Sequence, residues 1–214
     1  MNIKVKLEKI KKLLFENTSL QQTVVKNTFW LSFGNITGRL IKAILIIYAA
    51  RTLGVAGYGI FSYVLTLAAF FSLFADLGIS AILTREAAKD HTKLPFFLAT
   101  AFYIKLGLLL ISALTVIFVA PFFTRIPEAV GLLPLAALLI ALDNFRDFFV
   151  SIGRSQQKME KEAEISIFTY IAITISGIVA LIVSSSAKSL LIGYVIGSAT
   201  GTLFAFMLFK NHFI

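Results

Sequence analysis

Six long apolar stretches, separated by short polar connections, make up most of the chain. They lie near residues 28–50, 59–77, 94–119, 127–149, 165–184 and 190–209. Each is close to the ~20 apolar residues that an α-helix needs to cross a bilayer. A chain inside lipid must satisfy all its backbone hydrogen bonds internally, and helices do so. The pattern therefore predicts an all-α fold, a polytopic membrane protein with six transmembrane helices.

The first 20 residues follow a different pattern. Isoleucine and leucine recur at i, i+4, i+7 and i+11 from Ile3, and five lysines lie between them. This predicts an amphipathic interfacial helix over residues 1–20, lying on an anionic membrane surface; a solvated tail is the alternative. Residues 21–214 then form the six-span transmembrane lobe.

Glycines recur at four-residue spacing in two of the predicted spans. They are Gly34 and Gly38 in the first, and Gly193, Gly197 and Gly201 in the last. Small residues at this spacing let two helix backbones approach closely in a membrane. We therefore expect tight helix contacts at both stretches.

Composition excludes several classes of protein. Of the 214 residues, 58% are hydrophobic and only 14% are charged, against ~25% charged in an ordinary soluble domain. The absence of cysteine rules out a disulfide scaffold and a cysteine-ligated metal site. The two histidines, His91 and His212, are too far apart to suggest ligand spacing, so no metal site is predicted.

The basic residues lie mainly on one side of the predicted bundle. Thirteen of the 20 lie on the side of the N-terminus, three lie on the opposite side, and four lie within spans. Cytoplasmic loops carry the excess of lysine and arginine, so both termini are expected in the cytoplasm of a multi-pass cytoplasmic-membrane protein. This explains the net charge of +9. We therefore expect membrane lipids as partners and no nucleic acid.

Seven charged residues lie inside the predicted spans. A charge at the centre of a span costs at least ~2.5–3.5 kcal/mol, so these groups must face one another or a hydrated cavity. Asn35, Arg39 and Lys42 share one helix face at i, i+4 and i+7. The predicted substrate-binding residues of this cavity are Asn35, Arg39, Lys42 and Lys105. The predicted ion-coupling or structural residues are Asp76, Asp143, Arg146 and Asp147.

Several of these groups also have a purely structural interpretation. Asp143 and Arg146 are spaced to form a local structural pair on one helix. Asp76, at a helix end, could face water. Lys42 could extend its ammonium outward to the membrane surface.

Enzymes and channels fit the sequence poorly. The stretch Asp143–Asp147 is superficially like a Mg²⁺-diphosphate motif, but no second acidic cluster accompanies it. No Ser-His-Asp arrangement, selectivity-filter sequence or phosphate-binding loop is apparent. We therefore predict a protein that is not an enzyme and needs no cofactor. Charged faces on several helices favour a transporter of a charged solute.

Two connections are similar to those of a known family. The first reads YAARTLGVAGYG from Tyr48, and the second reads DLGIS from Asp76 followed by TRE at Thr84. They resemble connections in oligosaccharide and polysaccharide (O-antigen-type) lipid flippases of the multidrug/oligosaccharidyl-lipid/polysaccharide exporter superfamily. The segment QKME at Gln157 is similar to a third. The residues that carry the resemblance include Arg51, Gly54, Gly57, Gly59, Gly78 and Arg85.

The resemblance implies a function. Such flippases move polyprenyl-(di)phosphate-linked oligosaccharides across the cytoplasmic membrane by alternating access, for surface polysaccharide synthesis. They are built from about 12 to 14 spans in two lobes, so this chain resembles the N-terminal lobe alone. A second six-helix lobe, as a homodimer or a separate chain, is then expected. An ion gradient or removal of product would supply the energy.

Two alternatives remain. The first is half of a cation-coupled drug antiporter of the same superfamily, and the second is a non-transporting membrane assembly protein. A cationic drug would require an acidic cavity, whereas four cations and three carboxylates lie in the predicted spans. Arg39 is the first choice for an anionic head group, because its planar guanidinium can bind phosphate through two hydrogen bonds.

Overall fold

Helices make up nearly all of the described residues. The computed structural model describes residues 19–89 and 94–210, which contain helices and turns and no strand. The α-helices are α1 (Leu20–Asp76), α2 (Ile79–Lys89), α3 (Leu94–Leu114), α4 (Pro127–Val130), α5 (Leu133–Ser155), α6 (Met159–Val183) and α7 (Ala187–Phe209). A π-helical segment, Thr115–Val119, and a 3₁₀ turn, Ala120–Phe123, continue α3. The predicted all-α class is confirmed. The predicted interfacial helix falls almost wholly on residues 1–18, outside the described residues.

Helix α1 consists of two arms that reverse direction at Gly54. Gly54 has φ 66° and ψ −176°, a non-helical conformation that separates a first arm (20–53) from a second arm (55–76). The Lys42 ammonium lies 5.5 Å from the centre of the Tyr194 ring, and the Phe61 ring lies 5.0 Å from the same ring. Lys42 is about 18 Å of helix away from Gly54. Both arms can therefore reach Tyr194 only if they run antiparallel.

Helix length and composition bear on the predicted count of six membrane spans. Within the described residues, four helical segments are long and apolar enough to cross a membrane: Leu20–Asp76, Pro95–Phe123, Met159–Val183 and Ala187–Phe209. The first contains two predicted spans, joined at Gly54. Helix α5 occupies the fourth predicted stretch, but it carries Asp143, Arg146 and Asp147. The count of six spans stays a prediction.

Helices α6 and α7 pack backbone against backbone. A Cβ added to Gly193 would lie within 2.9 Å of backbone atoms of Ser176 and Gly177. One turn further along, Gly197 lies against the backbone of Ile173, and Gly201 lies against the Thr169 side chain. Because the numbers rise along α7 as they fall along α6, the helices are antiparallel. The glycine spacing predicted this kind of contact on α7.

The first arm of α1 runs parallel to α6. Gly34 lies against Ala163, and Gly38 lies against the Tyr170 ring. At the start of both helices the Lys26 ammonium, only 1% exposed, lies 3.2 Å from the Glu160 carboxylate. This ion pair compensates charge in the first turn of α6, which begins at Met159, six residues before the predicted span. We call this side of the bundle the Lys26 end and the opposite side the Gly54 end.

Two further contacts complete the bundle. Helix α5 runs beside α7, where the Thr202 hydroxyl donates to the Leu142 carbonyl at 2.9 Å. Helix α3 runs beside the second arm of α1, and the buried Ser112 hydroxyl donates to the Phe71 carbonyl at 3.1 Å. The short helix α2 follows the second arm directly, after a tight turn at Leu77 and Gly78. The sequence pattern gave no prediction of α2.

Candidate substrate cavity

A cavity of about 960 Å³ lies between the two arms of α1 and helices α5, α6 and α7. We call it the substrate cavity. Its wall is largely polar and includes Asn35, Ser62, Thr66, Ser166 and Tyr170. The charged residues in its wall are Lys42, Asp76, Asp143, Arg146, Asp147, Arg154 and Glu162. Charged groups from three helices, α1, α5 and α6, therefore meet in one space.

Asp143 is held by a residue of its own helix, α5, and by a residue of α7. One of its oxygens accepts hydrogen bonds from the Arg146 guanidinium at 2.7 Å and the Ser198 hydroxyl at 2.6 Å. Arg146 also lies 4.0 Å from Asp147, whose side chain is 56% exposed. One guanidinium thus serves two carboxylates, closely at Asp143 and loosely at Asp147. Asp147 keeps oxygens with which to accept further hydrogen bonds.

The turn between α5 and α6 is held by a two-pronged ion pair. Arg154 donates to one Glu162 oxygen at 2.8 Å through Nε and to the other at 2.5 Å through a terminal nitrogen. Parallel bonds of this kind fix geometry as well as charge. Both residues line the cavity, so the pair neutralises its wall near the Lys26 end.

Lys105 lies behind the cavity wall. Its ammonium donates to Asp76 at 2.5 Å and to the Ser80 hydroxyl at 2.9 Å, and only 1% of its side chain is exposed. The Ser80 hydroxyl donates in turn to the same Asp76 oxygen at 2.6 Å. Three helices, α1, α2 and α3, meet at this triad. Lys105 is therefore committed to a carboxylate within the described residues and is not among those that line the cavity.

Removing the carboxylate from this triad is expected to destabilise the protein. In Asp76→Asn the buried Lys105 keeps its charge without a counter-charge, which costs about 3–5 kcal/mol. We expect a clear fall in the thermal midpoint of the purified protein and partial recovery in Asp76→Asn/Lys105→Met. Lys89→Met, which breaks an exposed pair, is the control and should cost under about 1 kcal/mol. A midpoint in Asp76→Asn equal to that of the control would contradict a structural role.

Lys42 differs from the other cations of the cavity wall. Arg146 and Arg154 each have a carboxylate partner, whereas within the described residues Lys42 has none within the 4.0 Å of an ion pair. Its ammonium lies over the Tyr194 ring, which is itself 4% exposed. A cation over an aromatic face is stabilised by the ring quadrupole but keeps its hydrogen-bond donors free. Lys42 is thus available to an anionic ligand.

The three residues predicted to share one face of the first arm do not all line the cavity. Asn35 and Lys42 line the cavity, whereas Arg39 is exposed and is not among the lining residues. At 100° per residue, Arg39 is rotated about 40° from Asn35 and about 60° from Lys42. It therefore lies at the rim, beside the cavity. The described residues show no carboxylate paired with it.

The residues that carry the family resemblance lie mainly at breaks in the helices. Gly54 forms the turn of α1, with Arg51, Gly57 and Gly59 around it, and Gly78 has φ 84°. Arg85 is exposed on α2 and lies 3.0 Å from Glu86. Hydrogen bonds from Lys89 and Arg85 hold the pKa of Glu86 below its ordinary value. These residues shape the connections and do not line the substrate cavity, apart from Gly78.

Several residues of the site carried no signal in the sequence. Tyr194, Ser198 and Ser80 are single polar residues in apolar or mixed stretches, and their partners lie far away in the chain. The Arg154–Glu162 pair lay in a connection that the pattern described only as polar. The described residues contain no group of three or more acidic, histidine or cysteine side chains placed to hold a metal.

Comparison with known proteins identifies the family. The model of the family described as "Polysaccharide biosynthesis protein" matches residues 24–214. The chain belongs to this family. The resemblance to polysaccharide flippases of the exporter superfamily is thereby confirmed. No curated protein and no solved structure matches the chain.

Membership of the family gives the general role. Together with the apolar helices, it makes the chain a membrane protein of polysaccharide biosynthesis and transport. Members of this polysaccharide biosynthesis family are transporters rather than enzymes.

Proposed function

We propose that the chain forms one lobe of a flippase that moves polyprenyl-(di)phosphate-linked oligosaccharide across the cytoplasmic membrane. The observation that carries the proposal is Lys42, a cation that forms no ion pair with the described residues and lies in the wall of a large polar cavity. An intramembrane charge without a partner is costly unless a ligand or water meets it. A phosphate or diphosphate supplies that partner, and lysine binds it as a point charge.

The rest of the wall suits a saccharide. The hydroxyls of Ser62, Thr66 and Ser166 and the amide of Asn35 line the cavity. These groups both donate and accept hydrogen bonds, as sugar hydroxyls do. Asp147 adds a carboxylate that can accept from them. Asn35 and Thr66 already donate to carbonyls of their own helix, and their oxygens can still accept hydrogen bonds from sugar hydroxyls.

Arg39 and the neighbouring exposed polar groups support a second helical body. Arg39, Asn35 and Thr66 lie within long apolar helices yet are exposed. Polar groups in such positions face a partner or a hydrated path rather than lipid. We propose that a second six-helix lobe, from another copy or another chain, covers this face, and that alternating access occurs between the two.

Asp143 and Asp147 are the candidates for ion coupling. The Arg146 guanidinium lies 2.7 Å from Asp143 and 4.0 Å from Asp147. An ion or a proton bound at one carboxylate would therefore change the strength of the ion pair between Arg146 and the other carboxylate. A drug antiporter of the same superfamily is the second candidate function. It gains support from the exposed carboxylate of Asp147, which suits a cationic ligand, and from ion pairs that neutralise most of the cavity wall.

The direct test is flipping itself. Cells that lose the gene should accumulate the lipid-linked oligosaccharide on the cytoplasmic leaflet, where an external impermeant oxidant cannot reach its sugars. Restoring the gene should restore access. Unchanged access in the deletion, together with loss of cationic-dye efflux, would instead favour the antiporter.

The proposed orientation places both ends of the chain in the cytoplasm. The chain has no native cysteine, so single cysteines report cleanly. Ser185 and Lys158 are both exposed, in the α6–α7 and α5–α6 connections. We expect Ser185→Cys to react with an impermeant maleimide on intact cells and Lys158→Cys to react only after the membrane is opened. The reverse pattern would contradict the orientation.

A further inference from the structure

Ion pairs account for most of the charges in the wall of the substrate cavity. They are Arg154–Glu162, Arg146–Asp143 and Lys105–Asp76. Two further wall charges have no close partner among the described residues. Lys42 forms no ion pair there, and the Asp147 carboxylate lies 4.0 Å from Arg146, which bonds closely to another carboxylate. The wall is thus left with one cation and one anion.

These two charges lie at different heights in the bundle. Lys42 is level with the start of the turn after Thr174, whose hydroxyl donates to the carbonyl of the residue before Lys42 at 3.4 Å. Asp143 accepts from Ser198, and the residue before Ser198 packs against the α6 backbone next to Thr174. Asp147 lies four residues beyond Asp143, towards the Lys26 end. At a rise of 1.5 Å per residue, Lys42 and Asp147 differ in height by about 10 Å.

At this separation the two charges neutralise each other poorly. It exceeds the Debye length of ~8 Å at physiological ionic strength, and the wall around them is largely polar. A purely anionic ligand would meet Lys42 and would leave Asp147 out of water without a counter-charge, which is unfavourable. A ligand with an anionic group at one end and a cationic group further along would meet both.

The wall between the two charges suits a sugar. The Tyr170 ring packs against Gly38, which lies one turn from Lys42 on the side of the Lys26 end. Tyr170 therefore lines the cavity at a height between Lys42 and Asp147. Its hydroxyl can both donate to and accept from a sugar hydroxyl. The cation, the hydroxyl and the carboxylate thus follow one another along the axis of the bundle.

From these observations we propose that the carried saccharide is zwitterionic: its phosphate or diphosphate binds at Lys42, and a free amino group binds at Asp147. The proposal rests on the proposed flippase function and deepens it by naming the class of saccharide. A distance of about 10 Å is longer than one sugar ring, so the amino group belongs on a sugar beyond the one attached to the phosphate. Contact with a carboxylate favours the ammonium form of an amine. Asp143 then remains the candidate for ion coupling.

Two probes that differ by one charge test the ammonium contact. Both are farnesyl diphosphate-linked disaccharides; the second sugar carries a free amine in one and an acetylated amine in the other. Native membranes that contain the full chain should bind the free-amine probe at least tenfold more tightly, as expected for a hydrogen bond between charged groups. Membranes from cells that lack the gene give the background. Equal affinities would overturn the ammonium contact and leave the flippase proposal intact.

Variants of Asp147 test which residue meets the amine. Asp147→Asn keeps the size of the side chain, and Arg146 keeps its closer partner, Asp143, at 2.7 Å. We expect the preference for the free amine to disappear while affinity for the acetylated probe stays within about twofold, which completes a double-mutant cycle between amine and carboxylate. Asp147→Glu should retain most of the preference. Glu164→Gln removes an exposed carboxylate of α6 that pairs with Lys161 and does not line the cavity, and it is the matched control.

The other outcomes of this experiment separate the saccharide class from the transport function. An equal loss of affinity for both probes in Asp147→Asn would assign the carboxylate to sugar hydroxyls and overturn the ammonium contact. Loss of the preference in Glu164→Gln would overturn it as well, because general charge would then explain the preference. If Asp147→Asn does not accumulate, Asp147→Ser takes its place.

A third probe tests the anion contact on which both proposals depend. It carries the same amine-bearing disaccharide on a neutral farnesyl ether, without phosphate. We expect it to bind at least tenfold more weakly than the free-amine diphosphate probe. Equal binding of these two probes would overturn both the zwitterionic saccharide and the flippase, and would favour the antiporter.

Discussion

Gly197→Ala is expected to destabilise the protein by about 3 kcal/mol or more, because its new Cβ would overlap the backbone of Ile173 on α6. Backbone atoms in a packed helix pair cannot move aside without separating α6 from α7. We expect a large fall in the thermal midpoint of the purified protein and less folded protein in the membrane. Gly193→Ala, which meets the backbone of Gly177 and Ser176, should behave similarly.

Two glycines elsewhere calibrate this prediction. Gly107, in α3, has nothing within 4 Å of a Cβ, so Gly107→Ala should be neutral or slightly stabilising. Gly38 faces the Tyr170 ring, whose side chain can turn away, so Gly38→Ala should have an intermediate effect. An equal midpoint for Gly197→Ala and Gly107→Ala would mean that the close contact of α6 and α7 does not limit stability.

The sequence predicted those features that depend on local spacing. The four-residue glycine repeat on α7 predicted a close helix contact, since helical periodicity alone places Gly193, Gly197 and Gly201 on one face. Apolar length predicted the helices. It did not predict α2, because an eleven-residue helix with mixed polarity looks like a polar connection. Apolar length also placed the start of α6 too late in the chain. Its first turn contains Glu160 and Glu162, whose ion-pair partners only the fold brings near.

In the site, too, contacts between residues close in the chain could be predicted and contacts between distant residues could not. The spacing of Asp143 and Arg146 allowed a local pair, and they lie 2.7 Å apart. The contacts of Lys105 with Asp76 and of Asp143 with Ser198 join residues 29 and 55 positions apart. Such pairs depend on which helices are neighbours, which a single sequence does not contain. Helical spacing placed Asn35, Arg39 and Lys42 on one face of the first arm. A rotation of about 40–60° around the helix nevertheless puts Arg39 at the rim of the cavity and leaves Lys42 in its wall.

This difference between Lys42 and Arg39 leads to a prediction about flipping. Lys42→Met keeps the length of the side chain and its contact with Tyr194 but removes a cavity-wall charge that has no ion pair in the part of the chain that the structure describes. We expect flipping of lipid-linked oligosaccharide in the complete transporter to fall at least a hundredfold, equivalent to about 2.7 kcal/mol, with normal protein levels. Lys188→Met removes one exposed charge from the first turn of α7 and should leave flipping unchanged.

Arg39 is expected to act earlier, where the head group enters. Arg39→Ala should reduce flipping about tenfold, and Arg39→Lys should remain impaired, because a lysine cannot reproduce two-pronged phosphate binding. Arg39 variants should mainly need a higher substrate concentration for half-maximal flipping, because they lose the group that captures the head group. Lys42→Met should mainly lower the maximal rate of flipping, because it loses the group that binds the anion within the cavity. Normal flipping in Lys42→Met would remove the anion site from the cavity wall and leave Arg39 at the rim as the group that binds the phosphate.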